Sequence, residues 1–141
     1  MVIKQLSVFL ENRSGRLNDV FGILSKARIN VSACSLADTS EYGILRLIVS
    51  EPEKAWSILK EHNFSVNMNK VFSFATPNTP GALSRTLEIL SDAGIDIEYL
   101  YGFSPGDKSF IVLRCDNIEN AIKELQKYEM ELISASDLYK F

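Results

Sequence analysis

Two short stretches with one shared pattern decide the fold of this chain: Glu11–Leu17 reads ENRSGRL and Pro77–Leu83 reads PNTPGAL. Both contain Asn-x-x-Gly-x-Leu, and the second begins 66 residues after the first. Each lies between an apolar run typical of a β-strand and a run typical of an α-helix. A pattern that recurs at a fixed spacing indicates one structural unit written twice.

The repeat extends well beyond these two stretches. When the chain is shifted by 66 residues it aligns with itself without a gap, and identical residues then occur at intervals along most of the aligned length. The identical pairs include Asn12/Asn78, Gly15/Gly81, Leu17/Leu83, Ile23/Ile89, Leu24/Leu90, Ser25/Ser91, Ala27/Ala93, Ile29/Ile95, Leu47/Leu113, Glu53/Glu119, Ala55/Ala121 and Leu59/Leu125. So many identities at one spacing predict two copies of one fold, which we assign to residues 1–68 and 69–141.

The spacing of apolar residues predicts the same order of elements in both copies. Alternating apolar residues indicate strands, and apolar residues at i, i+3, i+4 and i+7 indicate an amphipathic helix. The predicted strands lie near 2–10, 29–36, 44–49 and 64–68 in the first copy, and around Phe72–Thr76 and near 95–103, 110–115 and 130–136 in the second. The predicted helices run from 17 to about 28 and near 52–62, and from 83 to 94 and near 118–128.

The resulting order, β-α-β-β-α-β in each copy, predicts an α+β protein built from two ferredoxin-like domains in tandem. In this fold an antiparallel sheet carries its two helices on one face. The other face then needs cover or tolerates solvent. The sequence leaves open whether the two sheets join side by side or pack face to face.

Composition excludes several classes of protein. A chain of 141 residues, 46% of them hydrophobic, suits one ordinary domain or two small ones. No apolar run approaches the roughly 20 residues that span a membrane, and the N-terminus lacks the features of a signal peptide. Cys34 and Cys115 have no CxxC spacing, so we expect two buried free thiols in a cytoplasmic protein.

Charge and motif content argue against catalysis and against nucleic acid. Residues 1–70 carry nine basic and seven acidic side chains, a net charge of +2, whereas residues 71–141 carry six and eleven, a net charge of −5. This asymmetry is either surface drift or a sign that the halves have different partners. Lys and Arg form no cluster, and His62 is the only histidine. We find no metal-ligand spacing, P-loop or nucleophile elbow, and expect no metal, cofactor, catalytic residue, membrane or nucleic-acid partner.

The two repeated glycines lie where a strand gives way to a helix. Glycine at such a place permits a positive φ and lets a ligand or a neighbouring backbone approach closely. The helix that follows presents unpaired N–H groups and a partial positive charge. A turn of this kind at Gly15 and Gly81 can hold a carboxylate or a phosphate.

Polar residues near the two turns complete the requirements of an amino-acid site. Asn12 and Asn78 supply an amide donor and acceptor beside each glycine. Asn30 and Asp96 begin the next predicted strand and could face the same crevice. An amino acid needs donors for its carboxylate and acceptors for its ammonium. Asn and Gly are also ordinary turn residues, so a purely structural role remains open.

These segments resemble a known family. ENRSGRLNDVFGILSKARINV and PNTPGALSRTLEILSDAGIDI are similar to the opening segment of the ACT domain. That segment is a short strand, Asp/Asn-x-Pro-Gly-x-Leu, a helix, and Gly-Ile/Val-Asn/Asp-Ile. The resemblance covers essentially the whole chain as two ACT domains in tandem. It implies small regulatory modules that typically bind amino acids between two domains and are often attached to enzymes of amino-acid metabolism.

The resemblance also implies which residues contact a ligand. In the serine-feedback domain of phosphoglycerate dehydrogenase, one Asn lies just before the glycine turn and another begins the second strand. The corresponding segments give these candidate ligand-binding residues: Asn12, Ser14, Gly15, Arg16, Leu17, Asn30 and Val31 in the first copy, and Asn78, Pro80, Gly81, Ala82, Leu83, Asp96 and Ile97 in the second.

Two departures from the family pattern distinguish the copies. Ser14 stands where the family usually has proline, and Asp96 stands where the amino-acid site has asparagine. An aspartate pairs with a ligand ammonium but repels a carboxylate, so the two sites need not be equivalent.

The resemblance thus implies a stand-alone regulatory protein and not an enzyme. We expect a homodimer that binds an amino acid between ACT domains and acts on a separate enzyme of amino-acid metabolism. The alternative is an interaction or assembly subunit of an enzyme complex that needs no ligand.

Overall fold

The computed structural model describes residues 1–11, 13–38 and 41–138. The chain divides into two compact units. The first unit is Lys4–Asn69, and the second combines Met1–Ile3 with the residues that follow from Lys70. Both units contain the predicted elements, which confirms the α+β class with two βαββαβ copies.

Bounds of the elements are as follows. The first half of the chain contains β1 (Ile3–Glu11), α1 (Arg16–Lys26), β2 (Val31–Asp38), β3 (Tyr42–Val49), α2 (Pro52–Glu61) and β4 (Ser65–Pro77). The second half contains α3 (Ala82–Asp92), β5 (Ile97–Phe103), β6 (Lys108–Cys115), α4 (Ile118–Lys127), β7 (Glu131–Ile133) and α5 (Ala135–Leu138).

Three predicted strands differ from the structure. The strand predicted at 64–68 and the strand predicted to open the second copy are one continuous strand, β4, of 13 residues. No glycine or proline interrupts it before Pro77, so nothing in its sequence forces a turn. The strand predicted at 130–136 ends at Ile133, because Ser134 begins a short helix by accepting a hydrogen bond from the Asp137 N–H at 3.2 Å.

Strand pairing repeats between the units residue by residue. In the first unit β3 lies between β2 and β1, and in the second unit β6 lies between β5 and β4, all antiparallel. Leu6 pairs with Leu47, and 66 residues later Phe72 pairs with Leu113. Register shifts also recur, between Val31 and Ala33 in β2 and between Ile97 and Tyr99 in β5. The duplication therefore extends to the irregularities of the backbone.

Each unit has a hydrophobic core between its helices and its sheet. Leu6, Val8 and Leu10, which were predicted to share one face of the first strand, are buried in this core, and Gln5 and Ser7 at the alternate positions are buried as well. Phe72 and Phe74, the counterparts of Leu6 and Val8, are fully buried, with ring centroids 6.0 Å apart. The helices contribute the residues predicted to form their apolar face, namely Val20 and Leu24 from α1 and Leu90 from α3.

One cysteine lies in the core and the other does not. Cys115 is 3% exposed, as predicted, and burial raises the pKa of its thiol. The prediction that Cys34 is buried was wrong, because the residue is exposed. Cys34 lies on β2 and pairs with Leu47 of β3. Among the described strands, β2 pairs with β3 alone, so it forms an edge of its sheet. A residue on an edge strand is less covered by the helices than its partner on the central strand.

Three pairs of equivalent residues have a positive φ. They are Gly15 and Gly81 (88° and 87°), Arg28 and Gly94 (58° and 74°), and Asn63 and Glu129 (64° and 56°). The last two pairs follow the C-terminal ends of helices, where a left-handed residue satisfies the last carbonyl groups. The predicted left-handed cap at Gly94 is confirmed.

Substitutions at Arg28 and Gly94 test how much free energy a positive φ costs at these two equivalent positions. A residue with a Cβ loses about 1–2 kcal/mol in the left-handed region, and glycine loses about 0.5–1 kcal/mol in chain entropy. We therefore expect Arg28→Gly to raise the free energy of unfolding, and Gly94→Ala to lower it, by about 0.5–1 kcal/mol each. Urea denaturation followed by circular dichroism measures both. Gly106→Ala is the control, since Gly106 has no positive φ and open space around it. Changes of the same sign at both positions would contradict this account.

Candidate functional site

The two glycine turns have almost the same geometry. Gly15 is the N-cap of α1 with φ 88° and ψ −13°, and Gly81 is the N-cap of α3 with φ 87° and ψ −11°. Each carbonyl accepts the first helical hydrogen bond, from the N–H of Asp19 at 2.9 Å and of Arg85 at 3.0 Å. These φ values explain why glycine occupies both positions, since residues with a Cβ rarely adopt them.

Both turns leave the start of the helix accessible. In the described part of the chain, no side chain caps α1 or α3, whereas the Asn117 side chain caps α4 by accepting the Asn120 N–H at 3.1 Å. A Cβ added to Gly15 or Gly81 would meet no described heavy atom within 4 Å beyond the adjacent residues. Uncapped N–H groups at a helix start attract anions. The geometry therefore suits a carboxylate that approaches from outside the unit.

Only the second of the two asparagines that precede the turns lies in the described part of the chain. Asn12 lies outside the described residues. Asn78 is exposed, and its Nδ2 donates to the Gly106 carbonyl at 2.8 Å. Its backbone N–H donates to the Asp107 carbonyl, also at 2.8 Å. Asn78 therefore fixes the second turn to the loop between β5 and β6, which is a structural role.

The candidates at the start of the second strand are held by a hydrogen-bond pair that recurs in both units. The Asn30 N–H donates to Ser50 Oγ at 3.0 Å, and the Ser50 N–H donates to the Asn30 carbonyl at 2.9 Å. Asp96 and Asp116 make the equivalent pair at 3.0 and 3.1 Å. The backbone is thus fixed while the side chains of Asn30 and Asp96 remain exposed.

Within one unit the structure does not bring the two halves of the candidate site together. Gly15 precedes α1, and Asn30 follows it, so a helix of 11 residues separates them. Such a helix is about 16 Å long, which is more than the length of most amino acids. A cavity of about 430 Å³ beside Asn30 and Val31 is lined by Phe21, Leu24, Ser25, Arg28 and Ile29 and by no residue of the glycine turn. The expectation that both face one crevice therefore fails within a single unit.

The remaining candidates are partly buried or exposed without a shared pocket. Ser14 and Pro80 are exposed, while Leu17 and Leu83 pack against the cores of their units. Val31 and Ile97 are half-buried, as is Ala82. Arg16 differs from the others, since its guanidinium lies 4.2 Å from the centre of the Phe64 ring.

Metal-binding clusters and membrane-spanning helices are absent from the described residues. These residues include no group of three or more His, Cys, Asp or Glu side chains that could hold a metal ion. No helix among them is both long enough and apolar enough to cross a membrane.

Sequence reasoning missed one feature of this region. Arg16 was a candidate only because it follows Gly15, and its contact with Phe64 bridges residues 48 positions apart. The only signal in the sequence was the absence of this pair from the second copy, where Ala82 and Met130 stand instead.

Comparison with known proteins agrees with the fold described above. The family model described as an ACT domain pair matches residues 1–141. The crystal structure of protein BT0572 from Bacteroides thetaiotaomicron is 46% identical with a TM-score of 0.95, covering 100% of this chain and 98% of that chain. A comparison with curated proteins found no match.

More distant structures share the fold. The regulatory subunit of aspartate kinase from Thermus thermophilus, in its ligand-free form, is 14% identical with a TM-score of 0.65, covering 90% of this chain and 96% of that one. The regulatory subunit of aspartate kinase from Thermus flavus is 12% identical with a TM-score of 0.65, covering 90% and 94%. With the family model matching its whole length, this chain belongs to the family of ACT domain pairs.

Proposed function

We propose that this ACT domain pair is a regulatory protein that binds an amino acid and modulates a separate, cytoplasmic enzyme of amino-acid metabolism. The observation that carries this proposal is the pair of open glycine turns at Gly15 and Gly81, each at the uncapped start of a helix. The chain itself performs no catalysis in this proposal.

A ligand of this class matches the chemistry of the two ends of α1 and α3. Its carboxylate accepts hydrogen bonds from the N–H groups beyond a glycine turn. Its ammonium contacts the amide oxygen of Asn30 or the carboxylate of Asp96, both of which are exposed. Because α1 separates these ends by about 16 Å, the ligand joins the glycine turn of one ACT domain to the second strand of another. The protein is a homodimer in this proposal.

The two copies differ in what they offer the ligand. Asn30 is neutral, whereas Asp96 carries a negative charge beside Asp116. An aspartate favours a cation and disfavours an anion at short range. We therefore propose that the site built from Asp96 binds the ammonium more strongly and tolerates a second carboxylate poorly.

Regulation follows only if the ligand distinguishes two arrangements of the assembly. A ligand shifts an equilibrium by its difference in affinity for the two states, and by nothing else. An amino acid held between two ACT domains favours the arrangement in which both domains reach it. The same coupling must then act in reverse, so that the partner enzyme changes the affinity for the amino acid.

Calorimetric titration with the twenty common amino acids tests the proposal. We expect saturable binding of one or two of them, with the affinity falling about tenfold or more in Asn30→Ala or Asp96→Ala, as loss of a hydrogen bond to a charged ligand predicts. The copy whose variant loses binding contains the occupied site. A folded protein that binds none of the twenty would overturn the amino-acid proposal.

One observation favours the alternative, a ligand-independent assembly subunit. The Asn78 amide is already used inside its own unit, as a structural turn requires. Phe9, Leu36 and Tyr42 are large apolar or aromatic side chains with 42%, 51% and 55% of their surface exposed. Sedimentation of the protein with and without amino acids separates the two functions. An assembly subunit keeps one oligomeric state throughout and binds no amino acid.

A further inference from the structure

A groove on the helical side of the first unit shares only Arg16 with the candidate residues of the amino-acid site. Its volume is about 710 Å³, within the range of about 300–1,000 Å³ that is usual for small-molecule sites. Residues of α1 form one wall, and Ile58, Glu61, His62 and Phe64 form the other. All of these residues belong to the first unit.

Arg16 lies at one end of the groove with hydrogen-bonding capacity to spare. Its side chain is 19% exposed, and its Nε is buried without a hydrogen-bond partner among the described residues. The guanidinium lies over the Phe64 ring, which holds its plane in place. Its nearest carboxylate, Asp19, is 3.7 Å away, which is too long for a hydrogen bond. A buried donor of this kind calls for an acceptor that the described residues do not supply.

Gly22 keeps the middle of the groove open. It lies within α1, where glycine weakens a helix relative to almost any other residue except proline. A Cβ added there would meet no described heavy atom within 4 Å beyond the local helix backbone, so packing of the unit does not require glycine. The equivalent residue of the second copy is Glu88. Packing therefore gives no reason for glycine here, and the missing side chain leaves room in the groove.

The second copy has lost this chemistry while keeping the helix pair. The residues equivalent to Arg16, Lys26, His62 and Phe64 are Ala82, Asp92, Tyr128 and Met130. Two cations and the aromatic support are thereby absent. Since α1 packs with α2 much as α3 packs with α4, the fold does not need Arg16 or Phe64 at these positions.

We propose that this groove is a second binding site, specific for a small molecule with one carboxylate and an apolar body. The carboxylate accepts from the fork of Arg16 donors, which matches its geometry. The apolar body lies over Gly22 and against Ile23, Ala27 and Ile58, which also line the groove. This site is separate from the glycine turns, and neither proposal depends on the other.

The remaining charges of the groove favour a monoanion. Asp19 and Glu61 line it together with Arg16 and Lys26, so acidic and basic side chains balance. Arg16 and Lys26 attract an anion while Asp19 and Glu61 repel it, so the second charge of a dianion such as a phosphate ester brings no net electrostatic gain. His62 Nδ1 lies 2.9 Å from the Ile58 carbonyl oxygen, which can only accept, so Nδ1 carries a proton. In the neutral imidazole Nε2 is then an acceptor for a donor on the ligand.

Titration with phenylacetate, followed by NMR of the labelled protein, tests this site. Phenylacetamide has nearly the same shape without the charge and serves as the matched probe. We expect phenylacetate to shift the Arg16 Nε–H signal and the amide signals around Gly22 in a saturable manner. Phenylacetamide should bind about tenfold more weakly or worse, because it lacks the charge-assisted hydrogen bonds. Equal binding of both probes would overturn the assignment of a carboxylate to Arg16.

Two leucine variants at equivalent positions locate the site. Gly22→Leu fills the groove and favours the helix, so we expect a folded protein whose dissociation constant for phenylacetate rises about tenfold or more. Glu88→Leu makes the same change in α3 and should leave phenylacetate binding unaltered. Unchanged binding in Gly22→Leu, or no saturable shift in the wild-type protein, would overturn the proposal. Amino-acid binding should be measured on the Gly22→Leu protein as well, because it depends on the glycine turns and not on the groove. A failure of the groove proposal can therefore be told apart from a failure of the amino-acid proposal.

Discussion

Replacing Phe72 with alanine is expected to lower the free energy of unfolding by about 3–5 kcal/mol, the largest loss of stability among the substitutions considered for this protein. Phe72 is fully buried, pairs with Leu113 across the sheet, and lies beside Phe74. Its removal forfeits the apolar area of the ring and leaves a cavity that the surrounding strands can only partly fill. Urea denaturation followed by circular dichroism measures the loss.

Two further variants make this result interpretable. Phe72→Leu introduces the residue that the first copy has at Leu6, and should cost much less because most of the apolar volume remains. Tyr128→Ala removes an aromatic side chain that is 62% exposed, and should change the free energy of unfolding by no more than about 0.5 kcal/mol. A loss below about 1 kcal/mol for Phe72→Ala would mean that this residue does not occupy a packed core.

The second large effect is expected at the glycine turns. Gly15→Val and Gly81→Val place a β-branched residue at φ near 88°, which costs about 1–3 kcal/mol of backbone strain. Nothing described lies within 4 Å of the new Cβ, so the strain is not increased by a steric clash. With a total stability of about 5–15 kcal/mol, the variants should remain folded. Any ligand that approaches the helix start through this space should lose affinity by about tenfold or more.

Measuring stability and binding on the same samples separates the two roles of these glycines. Gly106→Val is the control, because Gly106 is exposed, has no positive φ and has open space around it. A ligand site predicts folded variants that no longer bind the amino acid. A structural turn predicts reduced stability with binding unchanged, and that outcome would remove the main support for the proposed function.

The fold could be predicted from the sequence because its determinants are local or periodic. The helix that became α1 was visible in the spacing of its apolar residues, and Val20 and Leu24 are indeed buried. The duplication doubled this signal, since each weak assignment in one copy had a counterpart in the other. The family assignment followed from the same two segments.

Features that depend on neighbours in space could not be predicted in this way. Cys34 and Cys115 both occur in strand-like runs, and only the pairing of the strands shows that Cys34 lies on an edge. The stacking of Arg16 on Phe64 depends on how α1 packs against the residues that follow α2.

The candidate site was predictable in part. The prediction that Gly15 and Gly81 have a positive φ at the start of a helix was correct, because glycine is nearly alone in tolerating that backbone conformation. The distance between Gly15 and Asn30 was not anticipated, although the length of α1 was implicit in the sequence. Residue types at matching places do not reveal whether they meet within one domain.

The recurring register shift in β2 and β5 has a consequence for how the two copies have diverged. A gap-free alignment whose irregularities also coincide means that the copies differ by substitution alone over their paired elements, with no residue inserted or lost. One backbone has thus been given two sets of side chains, with a net charge of +2 in residues 1–70 and −5 in residues 71–141. Each position of the paired elements therefore shows two natural side chains on one backbone conformation, each packed among the neighbours of its own copy.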